Sequence, residues 1–184
     1  MEKEHIRGKV IALSKSPAHT LIKENQKELL LLTGLGIEGD THLGVSVKHR
    51  SRVRQNPNAP NLRQVHLIHS ELHEELELKG IRVGPGQMGE NITTKGIDLL
   101  SLPEKAILKI GDSRIEVTGL RNPCHQLNTL HDGLMDAVLG RDENGKLIRK
   151  AGIMAIVLEG GKIEVGDEIK VSYPKGELKA LDKV

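Results

Sequence analysis

The chain has 184 residues, with 27 Lys and Arg against 25 Asp and Glu, and its formal net charge of +2 gives no electrostatic case for a nucleic-acid or membrane-surface partner. With no Phe, no Trp and a single Tyr it lacks platforms for stacking bases, so the core must be built from Leu, Ile and Val. One Cys excludes an intrachain disulfide, no secretory leader pattern opens the chain, and no apolar run approaches the roughly 20 residues that span a bilayer, so a soluble cytoplasmic protein is expected.

Residues 6–13 read as a first strand, with either Val10 and Ala12 or Ile11 and Leu13 facing inward according to register. Residues 29–32 form a short apolar run suited to a second strand, and Gly34, Gly36 and Gly39 then punctuate a loop that continues through Gly44 and carries Asp40 and His42. Between Asp40 and Glu71 no residue is acidic, while Lys48, Arg50, Arg52, Arg54 and Arg63 are basic. In extended backbone Arg50, Arg52 and Arg54 share one face and could hold an anion such as a phosphate; a solvated basic loop is the alternative.

Residues 64–68 read as a strand, followed by a helix with Ser70 as N-cap, Leu72 and Leu76 on its apolar face and Gly80 as its stop. His66, His69 and His73 invite a zinc-hydrolase reading. However, Glu71 is displaced by one residue from its place in H-E-x-x-H and no third ligand stands at standard spacing, which favours satisfied or solvated histidines. Residues 83–87 form a turn, with short strands expected around Ile92 and over 97–100. Between them Glu90 and Asn91 form a polar pair whose local role is to tie the turn by side-chain to backbone hydrogen bonds.

Residues 109–117 and 164–171 share a Gly-Asp pair between alternating runs, and both predict tight turns joining antiparallel strands. After a strand at 114–118, Leu127, Leu130, Leu134 and Val138 recur at helical spacing, predicting a helix that ends before Gly140 and is weakened by about 1 kcal/mol at Gly133. Asn122 suits its N-cap and Pro123 its first position, which places Cys124 in the first turn. There, free N–H groups lower a thiol pKa below its usual value of about 8.5. Arg121 and His125 flank the thiol. Such a position suits a nucleophile or a soft-metal ligand, yet Cys124 also shares the stripe of Leu127, and free cysteine is often a small buried hydrophobe.

Residues 151–158 read as a buried strand and 175–184 as a polar, frayed tail. The many short strands and two helices predict a mainly β fold, a closed β-barrel with a few peripheral helices, as a single domain over 6–173 with a polar tail at 174–184. Closure requires the strand near Val10 to pair with that near Ile169.

The string T-G-L-R-N-P-C (118–124) resembles the signature of the MOSC domain, named for the C-terminal domain of molybdenum cofactor sulfurases. G-I-E-G-D-T-H-L-G (36–44), M-G-E-N-I-T (88–93), G-I-D-L-L-S-L-P (96–103) and A-G-I-M-A-I-V-L-E-G-G (151–161) resemble further blocks of that family, in its order. The resemblance implies a MOSC, pyruvate-kinase-barrel-like fold that binds a pterin-based molybdenum cofactor. Cys124 would be the molybdenum thiolate ligand or the carrier of a persulfide, and Arg121, Asn122, His125, Asp40, His42, Glu90, Asn91 and Thr93 would line the pocket. Independently of the resemblance, the charge asymmetry between Asp40 and Glu71 puts Arg50, Arg52 and Arg54 at the rim of that pocket as a cationic border. The resemblance implies reduction of N-hydroxylated small molecules with a separate electron-donor reductase, or sulfur transfer with a separate cysteine desulfurase. Pyridoxal phosphate would belong to that desulfurase, since this chain is too short to include such a domain. The rival reading of the same thiol is a non-enzymatic sulfur carrier that delivers persulfide sulfur for metal–sulfur cluster assembly.

Overall fold

The computed structural model describes residues 7–184, so Ile6 of the predicted first strand lies outside the described residues. Strand β1 (Arg7–Lys15) carries a register shift between Val10 and Ala12. The extra residue turns both Val10 and Leu13 inward, at 1% and 0% exposure, so neither simple alternation predicted for this strand holds. Strand β2 (Glu24–Gln26) pairs with the second half of β1, while β3 (Glu28–Leu32), the expected apolar run, pairs with β4 (Gly36–Ile37).

The basic run forms a short helix, α1 (Arg50–Gln55), and not the extended segment that the alternation of arginines suggested. Its base is closed by backbone bonds from Val47 N to Ala59 O and from Asn61 N to Val45 O, which shorten the excursion to one helical turn and a loop. Strand β5 (Val65–His69) leads into α2 (Ser70–Leu78); the N-cap is His69, and the Ser70 hydroxyl makes no hydrogen bond. Gly80 stops α2 as expected, at φ 79°, with Gly80 N donating to Glu77 O and Ile81 N to Leu76 O. A Cβ here would meet open space, so Gly80→Ala pays backbone strain alone. Urea unfolding is expected to show a loss of about 1 kcal/mol with an unchanged m-value.

Strand β6 (Ile92–Lys95) follows. The strand expected over 97–100 is instead a single 3-10 turn, Leu99–Ser101, because burying both Leu99 and Leu102 beneath the barrel end needs a three-residue repeat. Strands β7 (Ile107–Ile110) and β8 (Ser113–Leu120) form the predicted hairpin across Gly111 and Asp112. Beyond β8, the predicted continuous helix is broken. A 3-10 turn covers His125–Thr129, Gly133 adopts left-handed φ 80°, and only α3 (Leu134–Ala137) is α-helical. Gly140 is not a helix stop but part of β9 (Leu139–Arg141), which forms a hairpin with β10 (Leu147–Arg149).

Strand β11 (Ile153–Glu159) is the buried strand expected from its apolar run. Strands β12 (Gly161–Glu164) and β13 (Glu168–Ser172) do not pair with each other as their Gly-Asp turn suggested. The turn is docked on earlier chain, Val165 N donating to Lys27 O and Gly166 N to Val10 O, so β12 joins β3 while β13 passes to the other sheet. Seven strands close in the order β1, β6, β5, β11, β8, β7, β13, with β13 back on β1 through Arg7↔Lys170 and Gly8↔Ile169. The pairing of first and last strands is thus as predicted. All neighbours in the ring are antiparallel except β5 and β6, whose connection carries α2 across the outside.

The ring encloses Val10, Leu67, Ile92, Leu108, Ile115, Val117, Ile153 and Ile169. A second cluster outside it joins Ile68, Leu72 and Leu76 to Met88, Leu127, Leu134 and Val138. The helical-spacing leucines are therefore buried, although the backbone that carries them is not one helix. Residues 179–184 are not frayed: Glu104 N donates to Lys179 O, Leu120 N to Asp182 O, Val184 N to Leu120 O and an Arg63 guanidinium nitrogen to Val184 O.

Candidate functional site

Strand β8 delivers Arg121 to one end of the barrel, where its backbone N–H donates to Gly152 O at 2.9 Å. Residue 152 must be glycine for its contact with β5: it has φ 88°, and a Cβ there would lie 2.0 Å from Leu67 O. Pro123 is buried and Cys124 half-buried, in extended backbone (φ −129°, ψ 164°) as the residue that precedes the 3-10 turn. Cys124 is therefore not in the first turn of a helix, and the predicted support from a helix terminus falls away. Asn122 is not the N-cap either, because its side-chain oxygen accepts from Arg149 Nε at 2.9 Å. The thiol donates weakly to Gln126 Oε1 at 3.7 Å, and His125 is exposed.

What supplies positive potential to the thiol is Arg121. Burial lowers the pKa of its guanidinium, while the charges of Cys124 and Glu90 act to retain the proton. One of its terminal nitrogens is enclosed and has no hydrogen-bond partner. Glu90 is wholly buried, and burial raises its pKa against the pull of the backbone N–H groups and Arg121. Its two oxygens accept from Gly86 N at 2.7 Å and Met88 N at 3.1 Å, which is the turn-tying role its sequence position suggested.

Behind these residues lies a buried network centred on Asp40. Oδ2 accepts from Lys23 Nζ at 2.7 Å, Asn91 Nδ2 at 3.0 Å and Ser16 N at 3.3 Å; Oδ1 accepts from His42 N at 3.0 Å and His42 Nδ1 at 3.1 Å. Burial opposes ionisation of Asp40, but His42 and Lys23 more than offset it and hold the carboxyl well below the ordinary range. Asn91 also donates to Ser14 O and accepts from His66 N, so it locks the loop to β1 and β5. The His42 ring packs edge-on against His49 at 4.4 Å and His19 at 5.7 Å.

Asp40, His42, Asn91, Glu90, Arg121 and Cys124 thus form one connected region through these bonds and charges. Arg50 and Arg52 are exposed on a helix and do not share one face of a strand. Thr93 is buried with an unpartnered hydroxyl on β6, His125 is exposed, and Asn122 pairs with Arg149. His66, His69 and His73 are not gathered: His66 Nε2 donates to Ala151 O at 2.8 Å, His73 lies 3.6 Å from Glu90, and no group of three metal-binding side chains occurs among the described residues.

The sequence matches the MOSC domain over residues 39–170. The chain belongs to the MOSC domain family. No curated protein matches it. Among solved structures, this MOSC chain is similar to the YuaD protein from Bacillus subtilis, with TM-score 0.77 and 26% identity over 93% of this chain and 99% of that one. YiiM from Escherichia coli (TM-score 0.58, 21% identity, 93% of this chain and 73% of that) and YiiM from Geobacillus stearothermophilus (0.66, 17%, 94% and 79%) share its fold. No helix among the described residues is long and apolar enough to cross a membrane.

In this MOSC chain Lys23 and His49 belong to the buried network region around Asp40, and no local motif singled them out; Arg63 stands out in the sequence only as one of a set of basic residues. Lys23 lies 17 residues from the carboxylate it pairs with, and nothing near it in the sequence announces that pairing. His49 and Arg63 lie within the acid-free segment between Asp40 and Glu71, and it was that absence of carboxylates that marked the region.

Burial pushes His49 down to about 3, helped by His42, Arg63 and Arg121, and holds His66 well below its ordinary value. Both are neutral in the fold, whereas the unfolded chain takes up their protons below about pH 6.5. Their contribution to stability is therefore complete above that pH and is lost as pH falls toward the folded values, at up to about 1.4 kcal/mol per pH unit for each group. Glu90, with its raised pKa, opposes this trend above about pH 4.5. Denaturant titrations from pH 7 to 4 are expected to show a falling stability, and His49→Gln should make the slope shallower. A flat profile would contradict the buried-neutral assignment.

Proposed function

We propose that this MOSC protein binds a pterin-based molybdenum cofactor through Cys124 and reduces N-hydroxylated small molecules with electrons from a separate reductase in the cytoplasm. The observation that carries the reading is the enclosed, unpartnered guanidinium nitrogen of Arg121 beside the half-exposed thiol. A cation held out of water with an open donor fits an anionic group, and a soft thiolate fits molybdenum. When bound, the cofactor would supply two-electron redox chemistry at the metal.

The chain's own groups have assigned tasks in this reading. Cys124 supplies the soft sulfur ligand, beside the Arg121 guanidinium. Lys23 and Asn91 fix the Asp40 carboxylate, which accepts a hydrogen bond from His42 Nδ1 and so sets the orientation of the ring, with Nε2 as its second nitrogen. Conversion of N–OH to N–H consumes two electrons and two protons and releases water, and in this reading His42 carries one of those protons. Glu90 keeps the 86–88 turn rigid next to Arg121.

Metal and pterin analysis of purified protein tests the reading. About one molybdenum and one pterin per chain is the expected result. Sulfane sulfur on Cys124 with no metal would overturn it in favour of a sulfur carrier served by a cysteine desulfurase.

A further inference from the structure

Of the seven buried side-chain polar atoms that have no hydrogen-bond partner among the described residues, six belong to residues 69–73 and 93–94. Three of them gather where α2 lies on β6. Leu67 and Ile92 face the barrel interior and Ile68 the outer cluster, so Thr93, the register partner of Ile68, lies on the outer face beneath α2. Ser70 and His73 are three residues apart and share one side of the helix. Glu75, on the opposite side, reaches Lys150 at the entry to β11; since β11 and β6 flank β5, the Ser70 and His73 side is left to β6. The hydroxyls of Thr93 and Ser70 and the Nε2 of His73 are thus buried together without partners, Thr93 at 1% exposure and Ser70 at 7%.

His73 Nε2 also lies 3.6 Å from Glu90 Oε1, and Glu90 is wholly buried. Beyond Glu90 comes Arg121, whose terminal nitrogen is the seventh unpartnered atom and whose charge acts on Glu90 and is acted on by Cys124. A line of polar groups therefore runs from beneath α2 to the thiol end of the barrel. The His73 side chain keeps 11% of its surface exposed, so the line meets solvent at that ring. Buried hydroxyls and imidazoles are satisfied by protein or by ordered water, and a water takes about two to four polar partners, which Thr93, Ser70 and His73 supply. The groups that act by charge on the pair are His69 on His73, and Arg121 and Lys23 on Glu90.

We propose that the junction of α2 with β6 binds ordered water, and that His73 and Glu90 carry a proton from it to the thiol site. The water site stands by itself; the use of the proton rests on the function proposed above. That reaction consumes two protons, and His42 accounts for one. For the second, a proton from solvent binds the exposed edge of the His73 ring while the proton on Nε2 passes to a Glu90 oxygen, which has a lone pair to spare beside its backbone donor. Burial raises the pKa of Glu90, so its carboxyl can hold that proton. The proton then moves along the Arg121 side to the oxygen of the N–OH group, which leaves as water when the N–O bond breaks, and Glu90 returns to its carboxylate. The two electrons come from the separate reductase, and the nitrogen takes its proton from His42.

Water–protein cross-relaxation NMR on the purified protein tests the water site. The Thr93 methyl is expected to show cross-peaks of the sign that marks a long-lived water, and Thr93→Val is expected to lower the urea midpoint. No such cross-peak, or a midpoint in Thr93→Val equal to or above that of wild type, as removal of a dry unpaired hydroxyl would give, overturns the site. Turnover of N-phenylhydroxylamine with reduced methyl viologen as electron donor tests the relay. His73→Ala and His73→Gln are each expected to lower kcat on the order of a hundredfold with KM unchanged, and added imidazole to restore His73→Ala but not His73→Gln. His73→Gln keeps a hydrogen-bonding group against Glu90 and should melt as wild type does, which separates loss of the proton carrier from loss of the fold. Wild-type kcat in either variant, or no rescue of His73→Ala by imidazole, overturns the relay. A wild-type protein that carries no molybdenum and does not turn over refutes the reductase reading and the relay with it, and the water site is then decided by the cross-relaxation and urea measurements.

Discussion

Cys124→Ser is expected to reduce bound molybdenum from about one per chain to background, while the thermal midpoint moves by no more than a degree or two. Oxygen is a hard donor whose proton is not lost at neutral pH without a strong base. The variant therefore offers neither the softness nor the charge that a thiolate brings to molybdenum. The fold is indifferent to the change: Cys124 is half-buried, its sulfur contacts only Gln126 as a hydrogen-bond partner, and its extended backbone suits serine equally. Elemental analysis and a melting curve on the same preparation separate the two effects. Normal molybdenum content in the serine variant would remove Cys124 as the ligand, and a large loss of stability would mean that the thiol is a packing group after all. Alkylation gives a parallel measurement, because a metal-bound sulfur should resist iodoacetamide and a metal-free one should not.

Asp40→Ala is expected to cost about 3–5 kcal/mol of stability, enough to lower the melting temperature on the order of 10 °C. The pair Lys23 and Asp40 is almost wholly excluded from water, with side-chain exposures of 1% and 0%. Removing the carboxylate strands the ammonium and leaves the donors of Asn91, Ser16 and His42 without their acceptor. The double change Lys23→Met with Asp40→Leu should recover much of the loss, since an apolar pair leaves no unpaired charge. Equilibrium unfolding of the single and double variants decides this. If the double variant is no better than Asp40→Ala, the network matters for its geometry and not for its charge. The same substitution frees His42 Nδ1, so a fall in turnover beyond the loss of folded protein would mark Asp40 as a positioning residue.

Much of this architecture could be read from residues alone, and the failures have physical causes. The strands at 29–32, 64–68 and 151–158, the hairpin at Gly111 and the closure of Val10 on Ile169 follow from alternation, tight-turn chemistry and the need to remove free edges. The stripe of Leu127, Leu134 and Val138 predicted burial correctly but not backbone, because Gly133 reaches a left-handed φ and Asn128 Oδ1 accepts from Met135 N, capping a new short helix. The arginines of α1 alternate as a strand would, yet the chain there returns on itself within a closed loop and has no neighbour to pair with. The second Gly-Asp turn misled because the partners of β12 and β13 lie far earlier in the chain. For the site, motif blocks located Cys124, Arg121, Asp40 and Glu90, whereas Lys23 needed the fold to meet its partner.

The pairing of β1 with β13 also governs when this molecule can form. Two pairs in the ring wait for the last strand, β13 on β7 and β13 on β1, and the second of them joins residue 8 to residue 169. Closing so long a loop has a large entropic cost, and it is met only once the last strand is available. During synthesis β1 must therefore wait with its edge unpaired until β13 has left the ribosome, and a chain stalled before Glu168 presents that edge to its neighbours. Refolding from denaturant should accordingly be slow and sensitive to protein concentration, with the seam at Gly8 and Ile169 among the last amides to gain protection from hydrogen exchange.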